Sequence, residues 1–100
     1  MGFGASGQTL AYRARAFGMR IKAPVIRPIK QEVLDEIQPD FMGDPSDLDR
    51  VVAECNFLSV HLHLTAATRH TIDAQRIGLM KPTACLINVA RGALVHEEAL

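Results

Sequence analysis

The sequence predicts an α/β fold built on a doubly wound parallel sheet, and three observations predict it. A glycine-rich turn, Gly2-Phe3-Gly4-Ala5-Ser6-Gly7, opens the chain and runs directly into a helical pattern from Gln8 to Phe17. Two apolar runs of strand length, Phe57 to Leu62 and Ala84 to Val89, are separated by helical and turn signals, as in a βα succession. The second run stops at Arg91, which stands between small residues where a strand would end and a tight turn begin. Together these features describe a Rossmann-like sheet, whose ligands bind in the crevice at the carboxyl ends of the strands.

The glycine spacing is that of a dinucleotide turn. Gly2 allows the tight bend, Gly4 lets backbone approach a pyrophosphate, and Gly7 lets the helix pack closely on its sheet. The following helix would present its N-terminal N–H groups to the phosphates. Leu10, Ala14 and Phe17 share one face of that helix, and a strand is expected over Arg20 to Ala23. About 20 positions beyond the glycines an acidic residue normally holds the ribose hydroxyls of NAD. Val25 stands there instead and cannot accept those bonds. Lys22, Arg27 and Lys30 offer two readings, as partners for the 2′-phosphate of NADP or as a solvated loop surface.

Val25 to Met42 contains two prolines, Pro28 and Pro39, and mixed charges, so it reads as a long connection with one helical turn around Glu32 to Ile37. A helix is expected from Ser46, with Asp49 completing a capping box and Leu48, Val51, Val52 and Cys55 as its buried stripe. Phe57 to Leu62 is nearly continuous in apolar residues, as for a parallel strand covered on both faces. Thr65 can cap a turn through His70, and Asp73 can cap a helix from Ala74 to Met80, which Pro82 keeps from running on.

Arg91 has no carboxylate among its sequence neighbours Val89, Ala90, Gly92 and Ala93. Its guanidinium fork suits a carboxylate ligand, and it stays cationic at any working pH. The residues alone leave two readings, a substrate-facing group or a solvated turn arginine.

Composition sets limits. One hundred residues with 48% hydrophobic content suit one small domain, and eleven basic against eleven acidic residues leave no electrostatic footprint for nucleic acid or an anionic membrane. No stretch approaches the roughly 18 apolar residues of a membrane span. Cys55 and Cys85 lie in apolar patterns outside any CxxC pair, so both are expected as buried thiols in a reducing cytoplasm. His61, His63 and His70 lack a Cys or carboxylate at ligand spacing, so no metal site is expected.

The whole pattern resembles the NAD-binding domain of the D-isomer-specific 2-hydroxyacid dehydrogenases, the family of phosphoglycerate dehydrogenase and hydroxypyruvate reductase. The resemblance rests on GFGASG followed by AFGMRI, on the run from Leu48 to Val95, and on the closing EEAL. It implies that the backbone of Ala5 and Ser6 lies against the pyrophosphate, that Val25 takes the place of the ribose-binding acid, and that Leu62 and His63 border the adenosine side. His63 replaces a proline usual at that position. It also implies that Val89 and Ala90 lie under the nicotinamide, and that Arg91 is the active-site arginine gripping the substrate carboxylate and carbonyl.

By this resemblance the cofactor is NAD, with NADP open because of Val25. The substrate is a small 2-hydroxy or 2-keto acid, and the complete protein is a homodimer through this domain. Only Met1 precedes Gly2, and the family's catalytic carboxylate and histidine follow the Arg91 motif. Residues 1–100 are therefore expected to be a partial nicotinamide-dinucleotide-binding domain, without the first strand, the C-terminal elements or the substrate domain, and inactive alone. Two rival readings keep the sequence but drop the chemistry: a non-catalytic NAD-sensing, corepressor-like relative, and an inactive truncated product.

Overall fold

The computed structural model describes residues 1–25 and 28–100, and Arg27 lies outside the described residues. Helix α1 spans Ala5–Ala16 and starts from Gly4, whose lack of a side chain leaves the first-turn N–H groups without a cap. It ends where Gly18 takes a φ of 77°, with the N–H of Gly18 on the Arg15 carbonyl and that of Met19 on the Ala14 carbonyl. The buried positions of α1 are Gly7 and Ala11. This corrects the expected stripe of Leu10, Ala14 and Phe17, since Leu10 is exposed and Phe17 is 87% exposed. Small residues let the helix backbone approach the strands; Leu10 and Ala14 line an apolar groove beside that contact, and Phe17, beyond the helix end, lies outside it.

Strand β1 (Lys22–Pro24) pairs in parallel with β2 (Phe41–Gly43), and the crossover carries helix α2 (Gln31–Ile37). The long connection therefore holds a two-turn helix and a strand where one helical turn was expected. A 3-10 turn at Pro45–Asp47 leads into helix α3 (Leu48–Glu54). The capping box is formed by Asp44 and Asp47 rather than by Ser46 and Asp49: Asp44 accepts from the Ser46 N–H, and Asp47 accepts from the Asp44 N–H at 3.0 Å. Leu48, Val51 and Val52 form the buried stripe, and Cys55 is half-buried just beyond the helix.

Strand β3 (Phe57–Val60) pairs in parallel with β4 (Cys85–Asn88) across helix α4 (Ala74–Leu79), whose N-terminus Asp73 caps through the Arg76 N–H. The main core gathers Leu48, Val52, Leu58, Val60, Ile72, Leu94 and Val95 beneath this pair. A second core gathers Phe3, Ala11, Ala23 and Ile37 beneath the β1–β2 pair.

The described strands form two separate two-stranded sheets. Among the described residues each leaves an open edge. Met1 lies on that of β3. Its amine donates to the Ser59 carbonyl at 2.7 Å and its carbonyl accepts from the His61 N–H at 2.8 Å, one rung of a parallel ladder on β3. Beyond it, an apolar groove of about 530 Å³ runs between the sheets, floored by Leu10, Ile21, Ala23 and Leu58.

That open centre corrects two sequence expectations. Strand β3 is covered on one face only, with Leu58 and Val60 buried but Phe57 exposed. Cys85 is likewise exposed, because among the described residues nothing covers the Cys85–Ile87 face of β4.

Candidate functional site

The glycine turn is packed onto the end of β3. Gly2 has a φ of 81°, and a Cβ there would lie 2.9 Å from the His61 carbonyl carbon and 3.0 Å from the Leu62 nitrogen. Gly7 is under tighter constraint, since a Cβ would meet the Gly2 carbonyl oxygen at 2.3 Å. Gly4 differs from both. Nothing lies within 4 Å of a Cβ placed on it, so the space beside the helix N-terminus is open for a ligand to approach backbone.

The ends of β3 and β4 and the first turn of α1 enclose a cleft of about 390 Å³. Ser6, Leu62, His63, Val89, Ala90 and Arg91 all line it, so one concavity brings together six of the residues singled out from the sequence. Gly4 and Ala5, which precede Ser6, are exposed. Val25 stands elsewhere: it follows β1, its N–H donates to the Gly43 carbonyl at 2.8 Å, and its side chain packs against the second core. Of the cations near it, Lys22 is ion-paired with Glu54, whereas Lys30 is exposed at the start of α2.

Arg91 reaches the cleft from the turn after β4. Among the described residues no carboxylate pairs with it, and its guanidinium donates to the Ala90 carbonyl at 3.0 Å. The backbone that carries it is clamped by Asn88, a residue the sequence reading did not single out. The Asn88 side-chain oxygen accepts from the Ala90 N–H at 3.1 Å, and its amide donates to the Arg91 carbonyl at 2.8 Å. An asparagine one residue before the small-residue turn was the available signal.

His61 was also set aside from the sequence, and the structure puts it at the centre of the cleft wall. Its Nδ1 lies 2.8 Å from Ser6 Oγ and its Nε2 lies 2.8 Å from Ser59 Oγ. Burial, and secondarily the Met1 ammonium, lower its pKa from the ordinary 6.5, which favours the neutral ring.

An uncapped helix N-terminus, an open glycine approach and an unpaired guanidinium across one cleft form a donor set for two anionic groups. The sequence of residues 1–100 matches the family model described as "D-isomer specific 2-hydroxyacid dehydrogenase, NAD binding domain". The chain belongs to this family. It is 45% identical over its whole length to a glyoxylate reductase of Thermococcus onnurineus, covering 28% of that protein. It is 42% identical to a hydroxypyruvate reductase of Thermotoga maritima, covering 30% of it. The crystal structure of a glyoxylate reductase from Paecilomyes thermophila superimposes with a TM-score of 0.83 at 35% identity, over 98% of this chain and 28% of that one. The chain thus spans less than a third of the relatives it matches.

Membership of the NAD-binding domain family agrees with the donor set at the phosphate end. The first-turn N–H groups and the open side of Gly4 suit a pyrophosphate. Val25, expected at the ribose end, has no side-chain acceptor for a hydroxyl. Among the described residues no helix is long and apolar enough to cross a membrane.

Proposed function

We propose that this chain is the NAD-binding part of an oxidoreductase that interconverts a small 2-hydroxy acid and its 2-keto acid. One observation carries the reading: Arg91 lines the same cleft as Ser6 of the glycine turn and has no carboxylate partner among the described residues. A bound nicotinamide supplies or accepts the hydride. The chain's own residues do the rest of what this part contributes. The α1 N-terminus and the backbone of Ala5 and Ser6 hold the diphosphate, Leu62 and His63 border the adenosine, and Val89 and Ala90 support the nicotinamide ring. The Arg91 fork binds the substrate carboxylate and polarises its carbonyl, fixing the acid for transfer.

The substrate class follows the named relatives, glyoxylate reductase and hydroxypyruvate reductase. Val25 and the exposed Lys30 leave room for the extra phosphate of NADP beside the NAD reading, although the Lys22–Glu54 pair removes one cation from that task. The exposed Tyr12 on α1 and Phe17 at its end support a homodimer through this domain, and the two unpaired cysteines support a reducing, cytoplasmic setting.

The test has two parts. The chain is titrated with NADH and NADPH by nicotinamide fluorescence, and the full-length protein is assayed for reduction of glyoxylate and hydroxypyruvate. Binding together with turnover that Arg91→Lys lowers by about a hundredfold or more supports the reading, since a point charge cannot replace a fork. Binding without turnover moves the protein to a non-catalytic nucleotide sensor, and no binding of either nucleotide overturns the proposal.

A further inference from the structure

The hydrogen-bonded chain Ser6–His61–Ser59 is not needed to hold the strands, whose ladders are complete without it, yet it ends on a hydroxyl in the cleft. Ser6 lies in the first turn of α1, exposed, beside the N–H groups that face the phosphate end. Its Oγ is 2.8 Å from His61 Nδ1, and the opposite ring nitrogen is 2.8 Å from Ser59 Oγ.

A neutral imidazole has one N–H and one lone pair, so only two arrangements satisfy both serines. In one, Nε2–H donates to Ser59 and the Ser6 hydroxyl spends its hydrogen on Nδ1. In the other, Ser59 donates to Nε2 and Nδ1–H donates to Ser6 Oγ, which leaves the Ser6 hydrogen to point elsewhere. The cleft that Ser6 and His61 both line is open to it. An anion there is a stronger acceptor for that hydrogen than the water it displaces, since a hydrogen bond to a charged acceptor is about twice as strong as a neutral one.

We propose that His61 is a positioning residue for phosphate recognition: in its Nδ1–H form it turns the Ser6 hydroxyl outward, adding a side-chain donor to the backbone donors that hold a phosphate oxygen of the dinucleotide. The inference rests on the NAD-binding reading and assigns it a residue pair. Ser59 acts at the far end, supplying the hydrogen that makes Nε2 the acceptor. Gly2 permits the arrangement, because its close approach to the His61 backbone holds the turn within reach of the ring.

The experiment titrates the full chain with NADH, ADP and adenosine and follows the His61 ring nitrogens by ¹⁵N NMR. Ser6→Ala should weaken NADH and ADP by about tenfold or more, the effect of one lost charge-assisted bond, and leave adenosine unchanged. His61→Leu should reproduce that loss. His61→Asn, whose amide donates from nearly the Nδ1 position, should recover much of it. Saturation of the wild-type chain with ADP should shift His61 to the Nδ1–H form, and the shift should be absent in Ser6→Ala. Equal binding of ADP by wild type and Ser6→Ala, an equal loss for adenosine, or a ring that stays Nε2–H under ADP overturns the inference while leaving NAD binding intact. Failure of the wild-type chain to bind NADH and ADP overturns the NAD-binding reading itself.

Discussion

Replacing Gly7 and Gly4 by alanine, one at a time, separates the packing role of the turn from its ligand role. At Gly7 a new Cβ would sit 2.3 Å from the Gly2 carbonyl oxygen, about 1 Å inside ordinary contact, and the obstructing atom is backbone. Either α1 or the turn must move. Such overpacking costs about 1–3 kcal/mol, which for a chain of this size lowers Tm by about 4–8 °C per kcal/mol. The moved turn also loses its seat against His61 and Leu62, so NADH affinity should fall with stability. At Gly4 the backbone is extended and a Cβ meets nothing within 4 Å. Gly4→Ala should therefore shift the melting temperature little, within the roughly 1 kcal/mol of an altered N-cap. Its methyl group would fill the space through which a pyrophosphate approaches backbone, so NADH affinity should drop at least about tenfold. Thermal melts by circular dichroism and NADH titration of both variants decide the matter. A Gly4→Ala chain that binds NADH like wild type, or a Gly7→Ala chain with unchanged melting, would refute the reasoning for that glycine.

Three further outcomes follow from the same structure. Asn88→Ala removes both bonds that clamp the Arg91 turn, so in the full-length protein kcat/KM should fall at least about tenfold while NADH affinity holds, which steady-state kinetics beside a titration will check. Leu94→Ala opens a cavity at a fully buried site of the main core and should cost about 2–5 kcal/mol, measured by urea unfolding. His61 has its pKa lowered from 6.5 by burial, so the unfolded chain takes up that proton first: the histidine's part of the stability should be full above pH 6.5 and decline as pH falls below it towards the lowered folded value. The buried Met1 amine, lowered from 8.0 to about 6, adds a slope of the same sign between those values, and unfolding of His61→Asn across this range should show the histidine part removed.

What the sequence made legible was local. Gly2, Gly4 and Gly7 declare a turn because each answers a short-range demand, and Asp73 declares the start of α4 because its cap closes within three residues. Strand β2 escaped notice for the same reason in reverse. It is three residues long, ends in Gly43 and follows a proline-rich stretch, so it carries no period to read, and only pairing with β1 makes it a strand. The stripe on α1 misled because helical spacing records which side chains share a face but not how near the neighbouring strands come. Where Gly7 meets the Gly2 carbonyl, the contact selects small residues and leaves Phe17 outside.

The candidate site divides along the same line. Arg91 stood out because a cation between small residues at a strand end is unusual in itself, and its lack of a carboxylate partner could be guessed from its neighbours. His61 could not be read that way: Ser6 is 55 residues distant along the chain, and the two meet only because Gly2 lets the turn lie against the end of β3. The glycine that suits a phosphate therefore also brings the histidine to the serine. A substitution that displaces Gly2 should release His61 from Ser6 together with the phosphate donors. This couples a motif legible at a glance to a side-chain pair that only the folded chain assembles.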